Sequence, residues 1–306
     1  MDPLLLLVQA LNGVQLGVML FLMAAGLTLV FGIMDMINLA HGSFYMVGAY
    51  LTATFSAALD SFLLGLLLAV PAAALVGLVV ERVALATLYR RDHLDQVLAT
   101  FGLILFFNEL VRIVWGPTAI FLDPPEFLSG TVTLPGGVTY PAFRFAIILV
   151  GLAVALFLWW LIARTRVGMR IRAGATNRET LEALGVDVGR LFALVFALGA
   201  GLAGLAGAMA GPILAVQTGM GEQILILTFV VIVIGGIGSI RGALVGALAV
   251  GLVDTFARAL LPGLFGLMME PAAAAGLAGA LGSVAIYVLM AAILVVRPRG
   301  LFPAHG

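Results

Sequence analysis

Long apolar runs, separated by short polar stretches, follow one another along almost the whole chain. A helix needs about 20 apolar residues to cross a membrane. Since no polar stretch between the runs exceeds about 27 residues, there is little room for a separate soluble domain. The pattern predicts an all-α polytopic membrane protein with about eight to nine transmembrane helices, some of them discontinuous, in a single domain over residues 1–306. The runs lie at 7–33, 42–58, 62–80, 96–115, 142–163, 191–216, 224–240, 243–261 and 273–296.

Arginines are concentrated in every second polar connection, whereas the connections 116–141, 217–223 and 262–272 contain none. Because basic residues are retained on the cytoplasmic side, we expect the arginine-rich connections and the C-terminus to be cytoplasmic. The connection 116–141, with its paired prolines and glycines (Pro124-Pro125 and Gly136-Gly137), is predicted to be a short outer hairpin loop. Twelve of the 15 arginines follow this rule: Arg82, Arg90, Arg91, Arg164, Arg166, Arg170, Arg172, Arg178, Arg190, Arg241, Arg297 and Arg299.

The polar connection 164–190 has the features of a cytoplasmic coupling loop. Thr176 and Glu179 have the spacing of a capping box, which predicts a short helix from near residue 177. Gly185 is a typical residue to end such a helix.

Leu181 and Leu184 are expected to share one apolar face of this short helix. An apolar face without a partner in its own loop favours docking of a soluble subunit, although a surface helix in a positively charged loop is the simpler alternative. The candidate docking residues are Arg170, Arg172, Thr176, Glu179, Leu181, Glu182, Leu184 and Gly185.

Two apolar stretches, 32–50 and 233–251, are interrupted by glycines and polar residues. Irregular backbone at membrane depth is tolerated only where protein buries it or water reaches it, and such breaks often mark a substrate path. Close helix packing is the alternative, above all for the glycines of the second stretch. The candidate path residues are Asn38, His41, Gly42, Ser43, Gly235, Gly236, Gly238 and Ser239.

The composition excludes several classes of protein. Only 10% of the residues are charged, against about 25% in ordinary soluble domains. The chain has no lysine, which excludes a P-loop ATPase, and no cysteine, which excludes disulfides and thiolate chemistry. Its three histidines, His41, His93 and His305, are scattered. We therefore expect no metal, no cofactor, no nucleic-acid partner and no catalytic activity of its own.

Three segments resemble one family when they are taken together. "GLTLVFGIMDMINLAHGSFYMVGAY" (26–50) is similar to the signature of LivH-type permeases, the membrane subunits of bacterial branched-chain amino acid ABC importers. "GMRIRAGATNRETLEALGVDVGRL" (168–191) resembles the coupling loop of that family, and "GGIGSIRGALVGALAVG" (235–251) resembles its late glycine-rich segment.

The resemblance implies a permease that works within a larger assembly. It implies a second, related permease subunit, two ATP-binding cassette ATPases docked on the coupling loops of the two permeases, and a periplasmic solute-binding protein, all acting at the lipid bilayer of a bacterial inner membrane. The implied solute is a branched-chain or related hydrophobic amino acid, and related permeases for urea, short amides or sugars share parts of the motifs.

Two other functions are compatible with the residues. A secondary transporter driven by an ion gradient would use Glu109, Asp254 or Asp35 as its coupling carboxylate, and a passive channel would need no partner. Glu109 has Arg112 three positions away and Asp254 has Arg258 four positions away, so we expect each of these two acids to be neutralised on its own helix.

Overall fold

The computed structural model of the chain describes residues 3–89, 91–133 and 137–303. Arg90, Gly136 and His305, named above, lie outside the described residues.

Every predicted apolar run forms a helix, so the all-α fold class is confirmed. The α-helices among the described residues are α1 (Pro3–Met34), α2 (His41–Leu59), α3 (Phe62–Val80), α4 (His93–Trp115), α5 (Ala142–Arg164), α6 (Arg166–Thr176), α7 (Arg178–Ala183), α8 (Val188–Ala210), α9 (Met220–Gly235), α10 (Ile240–Phe265) and α11 (Pro271–Val296). A π-helical turn (Glu81–Leu85) and a 3-10 turn (Ala86–Leu88) extend α3.

Seven helices in the described part of the chain are long and apolar enough to cross a membrane, fewer than the eight to nine expected. The other two apolar runs form α2 and α9. α9 has only 16 residues, and α2 contains polar residues such as His41 and Thr52 that lower its mean hydropathy. Both helices pack against neighbouring helices of the bundle, which take the place of lipid on their buried faces.

The bundle is built around α1 and α8. α1 packs against α10, α8 and α5, whereas α8 also packs against α2 and α3. Small residues allow close approach at these contacts: a Cβ atom added to Gly17 would lie 2.8 Å from the carbonyl oxygen of Ala247. In a membrane the hydrophobic effect does not drive helices together, because lipid is as apolar as their side chains. Close packing of this kind stabilises helix pairs instead.

Two breaks interrupt the helices where the glycine-rich and polar stretches predicted discontinuity. α1 ends at Met34, the next residue, Asp35, has a φ of +49° in the left-handed region, and the chain then runs without regular structure to α2. The second break separates α9 from α10, and Gly236 opens it with a φ of +101°.

A small hairpin precedes α5. Strand β1 (Thr131–Thr133) pairs in antiparallel register with β2 (Thr139–Pro141). The buried Tyr140 hydroxyl donates to Asn12 Oδ1 at 3.2 Å, and this bond holds the hairpin against the beginning of α1. Burial raises the pKa of Tyr140, while the charge of Arg144 partly offsets that effect.

Candidate translocation path and coupling surface

The first break returns the chain to the middle of α1. His41, the first residue of α2, places its Nε2 atom 3.2 Å from the carbonyl oxygen of Met23. The same ring lies against Gly26, where a Cβ atom would come within 3.0 Å of it. Since α1 extends from residue 3 to 34, α2 begins beside the central part of that helix and not at its end.

The polar residues of this break are enclosed by protein. Asn38, His41 and Ser43 are all buried. Neither polar atom of the Asn38 side chain, nor Nδ1 of His41, has a hydrogen-bond partner among the described residues. A buried polar group without a partner costs about 1–3 kcal/mol. In this conformation the three side chains do not line an open path, and their place on a translocation path stays a prediction.

The N-terminus of α2 meets the N-terminus of α9. A Cβ atom on Gly42 would overlap the carbonyl group of Gly221, and one on Gly221 would overlap the carbonyl group of Gly42. Only glycine allows two backbones to come this close. The positive ends of two helix dipoles therefore converge beside His41 and Ser43.

A polar pair at the same junction was not predicted from the sequence. Glu222 was assigned to a polar connection, but it lies in the first turn of α9. Its Oε1 atom accepts a hydrogen bond from Asn108 Nδ2 of α4 at 2.5 Å. The two residues are 114 positions apart, so no local pattern could have paired them.

Packing and backbone geometry explain most of the glycines in the second break. Gly235 and Gly242 are in backbone contact, and Gly238 has a φ of +81° and lies against Gly32 of α1. Ser239 caps α10, since its Oγ accepts from the Gly242 N–H at 3.1 Å. The packing alternative therefore accounts for these positions, and their role as path residues stays a prediction.

The C-terminal segment covers this second break. Leu301 N–H donates to the carbonyl oxygen of Ile234, and Phe302 N–H donates to that of Gly235, both at 2.9 Å. These are carbonyls of the last turn of α9, which has no further helical donors for them. Gly236 lies directly beneath Phe302, where a Cβ atom would come within 2.8 Å of its carbonyl oxygen.

The coupling loop contains two helices, α6 and α7, where one was expected. The short predicted helix is present as α7, but its cap is Asn177, whose Oδ1 accepts from the Thr180 N–H at 2.9 Å. Thr176 instead ends α6 and donates to the carbonyl oxygen of Arg172. The capping-box assignment to Thr176 is therefore wrong by one residue. Gly185 ends the turn after α7 with a φ of +80°, as predicted.

The expectation that Leu181 and Leu184 share one face is wrong. Leu181 is only 4% exposed and packs toward Gly174 of α6, whereas Leu184 is 75% exposed. The reason is that α7 ends at Ala183, so Leu184 lies beyond the last helical residue and turns away from the core. The remaining candidate docking residues are exposed: Arg170, Arg172, Thr176, Glu179, Glu182, Leu184 and Gly185.

The self-paired charges are present as predicted. Arg258 Nη2 lies 2.9 Å from Asp254 Oδ1, and Arg112 Nη1 lies 4.0 Å from Glu109 Oε2. Both acids have a counter-charge on their own helix, which makes either of them a poor candidate for ion coupling.

Comparison with known proteins identifies the family to which the chain is similar. The family model described as the permease component of branched-chain amino acid transport systems matches residues 9–296. The chain is 33% identical to the high-affinity branched-chain amino acid transport system permease protein BraD of Pseudomonas aeruginosa, over 81% of this chain and 85% of the relative. It is 32% identical to LivH of Escherichia coli, over 83% of this chain and 86% of the relative.

A further match, over a shorter part of the chain, is to a permease that is named for another solute. The fructose import permease protein FrcC of Rhizobium meliloti is 34% identical, but over only 36% of this chain and 32% of that protein. No solved structure matches the chain. Since the family model spans nearly all of the sequence, the chain belongs to the permease components of branched-chain amino acid transport systems.

Proposed function

We propose that this protein is the membrane permease subunit of an ABC importer and forms part of the translocation pathway for branched-chain or related hydrophobic amino acids. The main support is the family match over residues 9–296, together with relatives named as branched-chain amino acid permeases. ATP hydrolysis belongs to separate subunits, since a chain without lysine cannot supply the P-loop lysine.

The arginine-rich end of the bundle faces the cytoplasm in this proposal. Two contacts support a common end for these connections: Arg178 donates to the carbonyl oxygen of Met34, and Gly238 lies against Gly32. The positive-inside rule then assigns this end, with the C-terminus, to the cytoplasmic side of the inner membrane. The exposed residues of α6 and α7 would bind one ATPase subunit. The corresponding surface of a second permease would bind the other. A periplasmic solute-binding protein would deliver the solute to the opposite end.

The first break is the proposed path element. Asn38 and His41 carry buried polar atoms without partners among the described residues, and a conformational change that admits water or solute would satisfy them. No charged side chain is needed at this point, because the separate binding protein sets selectivity and the pore only passes the solute on.

The test is reconstitution with the candidate ATPases and binding protein in vesicles. ATP-dependent uptake and solute-stimulated ATP hydrolysis are measured with leucine, isoleucine and valine, and with urea and fructose for comparison. We expect stimulation by the branched-chain amino acids. Stimulation by fructose alone would shift the solute class toward that of the FrcC-like relative. Uptake that needs an ion gradient and no ATPase would refute the importer assignment.

A further inference from the structure

Arg178, the first residue of α7, reaches back to the membrane helices. Its Nη2 atom donates to the carbonyl oxygen of Met34 at 3.3 Å, and its guanidinium carbon lies 4.6 Å from the centroid of the Phe192 ring in α8. Met34 is the last residue of α1, where helical carbonyls lack internal donors. An arginine at that point satisfies the carbonyl and complements the negative end of the helix dipole. The coupling loop is thus attached to α1 at the residue where the first break begins.

The contacts continue from Phe192 to the end of α3. The Tyr89 ring meets the Phe192 ring edge-on, with centroids 5.3 Å apart. The Tyr89 hydroxyl donates to Oε1 of the buried Glu81, in the π-helical turn, at 2.6 Å. Burial and this hydrogen bond raise the pKa of Tyr89, so the hydroxyl stays protonated as the donor at neutral pH. Arg178 therefore packs on a fixed aromatic pair that is anchored to α3.

The break itself has a second attachment point. The Ile37 N–H donates to Gln96 Oε1 of α4 at 3.4 Å. The Nε2 atom of Gln96 in turn donates to the carbonyl oxygens of Leu88 and Arg91, at 3.3 and 3.2 Å. Gln96 holds the middle of the break to α4 and to the end of α3, neither of which belongs to the coupling loop. Within the described residues, the Arg178 side chain joins α7 to the start of the break, and α6 packs against α1 beside it, where a Cβ atom on Gly174 would lie 3.6 Å from Ile33.

We propose that Arg178 is the positioning residue that transmits movement of the coupling loop to the first break, by holding the end of α1 through the Met34 carbonyl and releasing it when α7 shifts. This inference rests on the proposed function, in which ATPases move the loop. A guanidinium contact suits the role, because it can open and close without unfolding either helix. The path residues Asn38 and His41 lie four and seven positions beyond Met34, so a displacement there reaches them directly.

The experiment compares Arg178→Gln, Arg178→Lys and a matched control in the assembled transporter. Arg190→Gln is the control, because Arg190 lies in the first turn of α8, close to α7 in sequence, and its exposed side chain pairs with Asp187. Three quantities are measured: co-purification with the ATPases, solute transported per ATP hydrolysed, and hydrogen–deuterium exchange of the amides at 35–40 in the permease alone.

We expect Arg178→Gln to co-purify normally but to transport about tenfold less solute per ATP, since a charged hydrogen bond contributes at least a factor of about ten. Its amides at 35–40 should exchange faster. Arg178→Lys should restore much of the transport per ATP, because lysine keeps the charge and a donor, and Arg190→Gln should match the unmodified protein. Normal transport per ATP in Arg178→Gln, with unchanged exchange, would overturn the inference.

A second variant covers the case in which Arg178→Gln does not fold. Phe192→Leu removes the ring beneath the guanidinium and should lower transport per ATP by about two- to fivefold, the size of a cation–π contact. No loss in this variant would count against the inference. If the unmodified assembly shows no ATP-dependent transport, the proposed function fails, and the exchange rates alone then decide whether Arg178 holds the break.

Discussion

Replacing Leu184 by aspartate tests whether the exposed end of α7 binds an ATPase. Leu184 is 75% exposed in the free chain, and burying a whole leucine side chain contributes about 1.5–3 kcal/mol. Burial of the exposed three quarters would contribute about 1–2 kcal/mol, and at about 1.4 kcal/mol per decade its loss weakens docking by roughly 5- to 30-fold. The expected result is a permease that inserts normally, because Leu184 lies outside the spanning helices. Its dissociation constant for the ATPases should rise by the factor given above.

The assay is titration of the purified permease in lipid nanodiscs with labelled ATPase subunits. Leu184→Met is the matched control, since methionine keeps the apolar contact. Leu181→Ala is a different kind of variant: its side chain is buried inside this chain, so it should lower the stability of the loop by about 2–5 kcal/mol before docking is considered. If Leu184→Asp binds as tightly as the unmodified protein, this surface is not the docking site, and an ion-coupled transporter becomes the better hypothesis.

Three further predictions concern the breaks and the topology. Gly42→Ala should abolish transport and lower stability by about 1–3 kcal/mol through overpacking against α9. The control Gly102→Ala, whose added methyl group meets nothing within 4 Å, should be tolerated, and equal thermal stability of the two variants would contradict the close contact. Because the chain has no cysteine and Ser43 is buried, Ser43→Cys should resist small water-soluble thiol reagents at rest and react during ATP turnover; a rate that is the same in both states would remove Ser43 from the path. Thr131→Cys should label from outside and Arg172→Cys only from the cytoplasm, and external labelling of the latter would reverse the orientation.

The helices were predictable because each is defined by its own sequence. An apolar run of about 20 residues has few alternatives in a membrane, and every predicted run forms a helix. The same holds for the pair Asp254 and Arg258, whose spacing of four fixes their contact on one helix. The position of the first break was also visible, since polar residues interrupt an apolar run there.

Contacts between distant segments were not predictable. Leu181 and Leu184 look equivalent in a helical pattern, but packing against α6 buries the first and the end of α7 exposes the second. Arg178 was one basic residue among twelve, and its bond to Met34 joins positions 144 residues apart. Such pairs depend on how the helices are arranged in three dimensions, which no single segment encodes.

The burial of α1 imposes an order on the synthesis and assembly of the protein. α1 leaves the ribosome long before α10, yet α10 is one of its main packing partners, and Gly17 contacts Ala247. At roughly 5–20 residues per second, the roughly 230 residues between them take about 10–45 s to synthesise. Throughout that interval the glycine face of α1 must remain in lipid, where its apolar sequence is stable but its close partner is missing. A nascent chain that stops before residue 240 would therefore be inserted without the helix that packs on this face of α1.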